Sequence, residues 1–205
     1  MCTRFYIEPE SDELHEILEE AKQSRLGELF MRAGSQVLIS GEIRPTNVVP
    51  VIATGKNRRS GVFPMRWGFQ IPGGSLVVNA RSETAAAKPT FRDAWKDHRC
   101  IIPASWYYEW EHTKTPSGKP KTGDKYAIQP KGEQTAWLCG LYRMEDGFPV
   151  FAVVTREPTP YLMSIHDRMP LILPRDMIQE WIRPDNDPEE MLEYAITDLI
   201  AEKAD

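Results

Sequence analysis

Long apolar runs are missing from this chain. None approaches the ~18 residues that cross a bilayer as a helix, so no membrane partner is expected. The first residues also lack the basic and apolar segments of a signal peptide, which predicts a cytoplasmic location. Cysteine is scarce: Cys2, Cys100 and Cys139 form an odd, widely spaced set of three. That spacing argues against a disulfide framework and a structural zinc site, and it fits a reducing compartment. Overall positive charge is lacking too, since 25 Lys and Arg against 30 Asp and Glu leave a net −5. Any contact with nucleic acid must therefore rest on a local basic patch. Repeats, low-complexity tracts and linkers are absent, and the 205 residues are expected to form a single domain over 1–205.

What is present reads as short strands with a few helices. Residues 11–29 carry helical periodicity, with Ser11 as the expected cap and Leu14, Ile17, Leu18 and Ala21 on one face. Residues 41–47 read as irregular, 48–53 as a strand, and 55–61 as a hairpin loop with three positive charges. Strands are expected at 65–69, 99–103, 106–110, 126–129, 136–144, 148–155 and 169–173, and residues 76–84 read as a strand that leads into a polar, Ala-rich helix start. Pro50 suggests an edge or a strand start, and Asp146-Gly147 a hairpin turn. Residues 91–98 suit a short helix and 112–124 a surface loop; 176–182 and 188–199 look helical, giving C-terminal helices over 176–200. The fold class is α+β: a curled or barrel-like, mostly antiparallel sheet with surrounding helices.

The chemistry begins at Met1-Cys2-Thr3-Arg4. Removal of Met1 would leave Cys2 with a free amine and a thiol on adjacent carbons. Both titrate near neutrality, at ~7.7–8.0 and ~8.5. Such an aminothiol captures an aldehyde first as a Schiff base and then as a five-membered thiazolidine. A buried, inert Cys2 is the competing reading. Asn79 follows three apolar strand residues, and taken alone it reads as a strand-end turn residue. Glu109 sits in Trp106-Tyr107-Tyr108-Glu109-Trp110. Alternation places it with Tyr107, opposite Trp106, Tyr108 and Trp110. Among aromatics its pKa should rise, as a general acid requires, although a solvent-facing Glu fits the pattern as well. His166, beside Asp167 in a loop, suits proton transfer, or is simply a surface histidine. Arg4 and Arg81 flank these positions as candidate phosphate contacts, and Trp67 is a candidate for base stacking or for the core. His15, His98 and His112 lie in charged contexts that suggest no role.

In order, Met1-Cys2-x-Arg4-Phe5, Arg44-Pro45-Thr46 before Val49-Pro50-Val51, Met65-Arg66-Trp67-Gly68, Asn79-Ala80-Arg81-Ser82-Glu83, Arg99-Cys100-Ile101-Ile102-Pro103-Ala104 with Tyr108-Glu109-Trp110, and His166-Asp167-Arg168-Met169-Pro170 run along the chain. This series resembles the SRAP domain, the SOS-response-associated peptidase family of abasic-site processing proteins. The likeness spans residues 2–173. It implies that Cys2 is the covalent residue and that Asn79, Glu109 and His166 complete the catalytic set. It also implies that Arg4, Arg81 and Trp67 bind nucleic acid. The implied partner is single-stranded DNA containing abasic sites, crosslinked covalently by a monomer. No cofactor or metal is implied, and the location would be cytoplasmic, with association to the nucleoid during DNA damage. Self-removal of residues ahead of the cysteine and weak lyase activity belong to the same picture. One departure is Thr3, where the family usually has Gly; a β-branched residue stiffens the backbone there.

Two other function classes fit parts of the pattern. An N-terminal-nucleophile amidohydrolase would use the amine as base for the thiol. A non-covalent single-strand reader would need only Arg4, Arg81 and Trp67. A metal enzyme fits least, because His, Cys and carboxylates show no ligand spacing along the chain.

Overall fold

The computed structural model describes residues 2–8, 12–114 and 119–204. The chain opens with β1 (Phe5–Ile7), followed by α1 (Asp12–Gln23) and α2 (Arg25–Arg32). The one helix expected over 11–29 is thus broken at Ser24. Ser24 is extended (φ −69°, ψ 155°), and its Oγ accepts the Gly27 amide at 3.0 Å, capping the second helix. Gly27 lets the two helices approach, because a Cβ there would lie 2.6 Å from the Lys22 carbonyl. Leu14, Leu18 and Ala21 are buried as expected; Ser11 lies outside the described residues.

Next come β2 (Gly41–Ile43), β3 (Val48–Thr54) and β4 (Ser60–Trp67). The stretch 41–47 is therefore not wholly irregular, since β2 pairs with β1. The 55–59 turn closes the expected hairpin, with Gly55 N donating to Arg59 O at 2.9 Å. Pro50 faces Pro64 across it, beyond the two positions where β3 pairs with its other neighbour, so neither ring blocks a needed hydrogen bond. Gly68 (φ +117°) then turns the chain into β5 (Phe69–Gln70), which pairs with β6 (Leu76–Val77). β7 (Asn79–Arg81) leads into α3 (Ser82–Ala85), and α4 (Arg92–Asp97) precedes β8 (Arg99–Ala104).

Ser105 alone separates β8 from β9 (Trp106–Lys114); β10 (Pro120–Pro130), β11 (Ala136–Glu145) and β12 (Phe148–Arg156) follow. The expected loop at 112–124 is mostly strand, because β9 and β10 pair out to Lys114 and Pro120. Asp146 (φ +50°) and Gly147 (φ +82°) form the expected tight turn between β11 and β12. After β13 (Met169–Pro170), β14 (Ile172–Leu173) and α5 (Ile178–Ile182), the chain ends in β15 (Leu199–Ala204). The helix expected over 188–199 is replaced by a 3-10 turn at Glu190–Tyr194. Beyond it, β-branched Ile196, Thr197 and Ile200 favour extended backbone, and β15 covers the outer edge of β10.

Two sheets result. In the larger, β12, β4, β3, β8 and β11 close into a five-stranded barrel, antiparallel except for the β12–β4 pair. β7 lies parallel on β12, and β13 and β14 extend the edges. The second sheet has the order β15-β10-β9-β1-β2 and is antiparallel throughout. The curled, mostly antiparallel α+β architecture expected from the sequence is the one observed. Ser105 turns the chain from barrel to second sheet; its amide donates to Tyr6 O and its Oγ accepts the Glu8 amide, each at 2.8 Å.

Candidate active site

Where the second sheet meets β7 and β12, four of the sequence candidates converge. The chain from Cys2 runs alongside β9, with Tyr108 N donating to Arg4 O at 2.9 Å. Alternation on β9 buries Tyr107 and Glu109 (0% and 3% exposed) and leaves Trp106 and Trp110 half-buried on the other face. Cys2 is fully buried, its Sγ 3.8 Å from Arg4 O. Asn79 starts β7, and its Nδ2 donates to Cys2 O at 2.8 Å. Its Oδ1 is buried without a hydrogen-bond partner among the described residues. His166 follows a 3-10 turn at Leu162–Ser164, and the loop is pinned to β9 by His112 N donating to Ile165 O at 3.0 Å. His166 Nε2 lies 3.8 Å from Glu109 Oε2.

Burial sets the electrostatics. It pushes the Glu109 carboxyl up to about 7, with the Asp167 charge adding to the rise. It pushes His166 down to about 4, helped by neighbouring His112 and opposed by Asp167. A neutral imidazole with Arg168 N donating to Nδ1 at 3.0 Å carries its proton on Nε2, facing Glu109. Asp167 Oδ1 also lies 2.9 Å from Nδ1, which suits the protonated ring, so the two contacts belong to different protonation states. Burial and the Glu109 charge hold the Cys2 thiol far above its ordinary range.

Three residues here escaped the sequence reading. Arg168 forms a two-pronged ion pair with Glu83, both N–O distances 2.9 Å, and donates to Thr155 O at 2.9 Å. The pair staples the His166 loop to the segment that follows Asn79. Both residues sat inside the quoted motifs, which was the available signal. His112 stands with its ring centroid 4.1 Å from that of His166. Nothing in its charged neighbourhood pointed there, since the meeting depends on a loop over fifty residues further along.

The nucleic-acid candidates divide. Arg4 is partly exposed, donates to Glu42 at 3.0 Å and lies over Trp110 at 5.1 Å. Arg44 joins the same carboxylate at 2.8 Å, and Lys125 lies 3.8 Å from it and over Tyr108. Three cations thus surround one anion on the outer face of the second sheet. Trp110 is half-buried beneath Arg4. Arg81 is exposed at the end of β7. Trp67 does not fit a base-stacking role: it is fully buried, with Phe5 and Phe151 at 5.2 and 5.9 Å. Its Nε1 donates to Val78 O at 3.0 Å, so it supports Asn79 from beneath.

This constellation on a five-stranded barrel defines the class. The chain matches the model of the SOS response associated peptidase (SRAP) family over residues 1–203, and it belongs to that family. It is 32% identical to the abasic site processing protein YoaM of Bacillus subtilis over 205 residues, covering 94% of this chain and 84% of that one. To the abasic site processing protein YedK of Escherichia coli it is 29% identical over 168 residues, covering 75% and 71%. Among solved structures, a protein from Bacteroides thetaiotaomicron has a TM-score of 0.72 at 19% identity, with 98% and 92% of the two chains covered. A phage-related protein from Bordetella bronchiseptica has a TM-score of 0.72 at 22% identity, with 99% and 94% covered. At these identities the two structures speak for the fold.

Proposed function

We propose that this protein captures abasic sites in single-stranded DNA by a covalent thiazolidine link to Cys2, after Met1 is removed, and so shields the lesion. The observation that carries this reading is Cys2, tied by Asn79, in one buried cluster with an acid held near neutrality and an uncharged histidine. The sequence likeness to proteins named for abasic-site processing supports the substrate class.

The chemistry follows from the protonation states. An abasic deoxyribose is mostly a closed hemiacetal. Protonated Glu109 donates to the ring oxygen as the C1′ hydroxyl loses its proton, and the aldehyde is freed. With the Cys2 thiol held in its protonated form, the terminal amine is the first nucleophile. It attacks C1′, and the carbinolamine loses water with His166 carrying the proton. The thiol then adds across the imine, its proton passing to nitrogen, and the ring closes. Asn79 orients the Cys2 backbone throughout. An imine that fails to close is open to loss of a C2′ proton and of the 3′ phosphate, which is weak lyase activity.

The Met-free protein, incubated with an abasic single-stranded oligonucleotide, should give an adduct that survives a denaturing gel. Its mass should be the sum of the two components less one water. Cys2→Ser should leave at most a labile imine. An unmodified strand with the Met-free protein would overturn the reading.

A further inference from the structure

We infer that His112, His166 and Asp167 form a binding site for a divalent transition metal of the zinc class at the edge of this cluster, and that an ion there blocks the reaction. One imidazole nitrogen of each histidine and a carboxylate oxygen of Asp167 lie within 4.8 Å of one another. His112 and Asp167 are exposed, whereas His166 is buried, so one fixed inner ligand is met by two outer ligands open to solvent. The bond from His112 N to Ile165 O holds the two contributing segments together.

Zinc binds imidazole nitrogen at ~2.0–2.1 Å and carboxylate oxygen at ~2.0–2.2 Å. Two ligand atoms on a tetrahedral ion therefore stand roughly 3.3–3.6 Å apart. Rotation of the exposed His112 and Asp167 side chains closes the remaining gap, and water fills the fourth position. Two imidazoles and one carboxylate favour zinc, cobalt, nickel or copper over magnesium or calcium. An ion taken by His166 through Nδ1, the nitrogen beside Asp167, displaces the Arg168 amide and occupies the one lone pair the ring can use to relay a proton to or from Nε2, 3.8 Å from Glu109. The blocking half of the inference rests on the proposed role of His166; the binding half does not.

Two measurements separate those halves. The Cys2→Ser protein, titrated with Co²⁺, should develop a visible ligand-field band without thiolate charge transfer. The band should vanish when His112→Ala or Asp167→Asn is added. A band indifferent to both substitutions, or no band, overturns the site. Crosslinking by the Met-free parent should slow at least tenfold in micromolar Zn²⁺ and recover with chelator. In His112→Ala the ratio of rates with and without Zn²⁺ should approach one; an unchanged ratio would overturn the blocking role. A parent that binds Co²⁺ yet crosslinks nothing in metal-free buffer would instead sink the abasic-site reading and leave the metal site standing.

Discussion

Two buried arginines show how the molecule treats architecture and chemistry differently. Arg99 (1% exposed) donates to the backbone carbonyls of Trp95, Lys96, Trp181, Arg183 and Asn186. Five neutral acceptors from two chain segments tie α4 to the end of α5. Arg168 (8% exposed) instead meets a carboxylate, Glu83, and presents its own amide to His166. The first arginine holds segments together; the second anchors the loop whose backbone amide sets which nitrogen of a histidine carries the proton. Charge satisfied by carbonyls tolerates no loss of the side chain, because each orphaned carbonyl is itself costly.

The contrast would break first at Arg99. Arg99→Met should destabilise the fold by about 3 kcal/mol or more, since each buried carbonyl left unpaired costs ~1–3 kcal/mol. Urea unfolding would show a lowered midpoint, with normal crosslinking by the protein that stays folded. Arg168→Met should behave the opposite way. Stability should fall by only about 1–2 kcal/mol, because Glu83 is partly exposed. Crosslinking should slow about 10- to 100-fold through a misplaced imidazole. Single-turnover kinetics with a DNA-binding control would separate the two; equal effects from both substitutions would erase the distinction.

Two glutamates, one buried and one partly exposed, extend the contrast to pH. Burial raises Glu109 to about 7, whereas Glu83, despite partial burial that pushes upward, is held below its usual range by Arg168. A raised carboxyl contributes stability that is complete below its unfolded value of ~4.3 and is lost as pH rises through the folded one. Glu83 contributes stability above that unfolded value, lost as pH falls through its lowered one. Glu109→Gln should therefore be more stable than its parent at pH 8, by roughly 2–4 kcal/mol, with the two converging toward pH 4. It should also lose crosslinking while retaining DNA binding. Denaturant midpoints across pH would check the first point, and equal midpoints at pH 8 would count against a buried acid. The smallest effect belongs to the surface. Arg4→Ala and Arg81→Ala should each lower the salt dependence of single-strand binding by about one phosphate equivalent, read from affinities at several ionic strengths.

Local chemistry explains what was legible in the sequence. The 146–147 turn and the alternation that buries Glu109 rest on neighbours in the chain, and the structure repeats them, whereas Asn79 begins β7 instead of ending the strand before it. The helix break at Ser24 depended on α2 folding back on α1 around Gly27, which periodicity does not register. The final strand depended on an edge of β10 that exists only once the sheet has formed. Trp67 turned inward because β1 and β7 both close over it, and His112 met His166 through the fold rather than through spacing. The four candidates Cys2, Asn79, Glu109 and His166 could be picked out one by one, but their common cluster is a property of two sheets.

The single-residue corner at Ser105 carries a mechanical consequence. Glu109 and the neighbour of Cys2 ride on one sheet, while Asn79 and the histidine loop hang from the barrel wall. The candidate groups therefore face each other across a seam, and their alignment is only as good as the angle between two slabs of backbone. The corner is braced once through the main chain, by the Ser105 amide on the Tyr6 carbonyl, and once through a single hydroxyl, the Ser105 Oγ that accepts the Glu8 amide, so one small side chain carries half of the bracing.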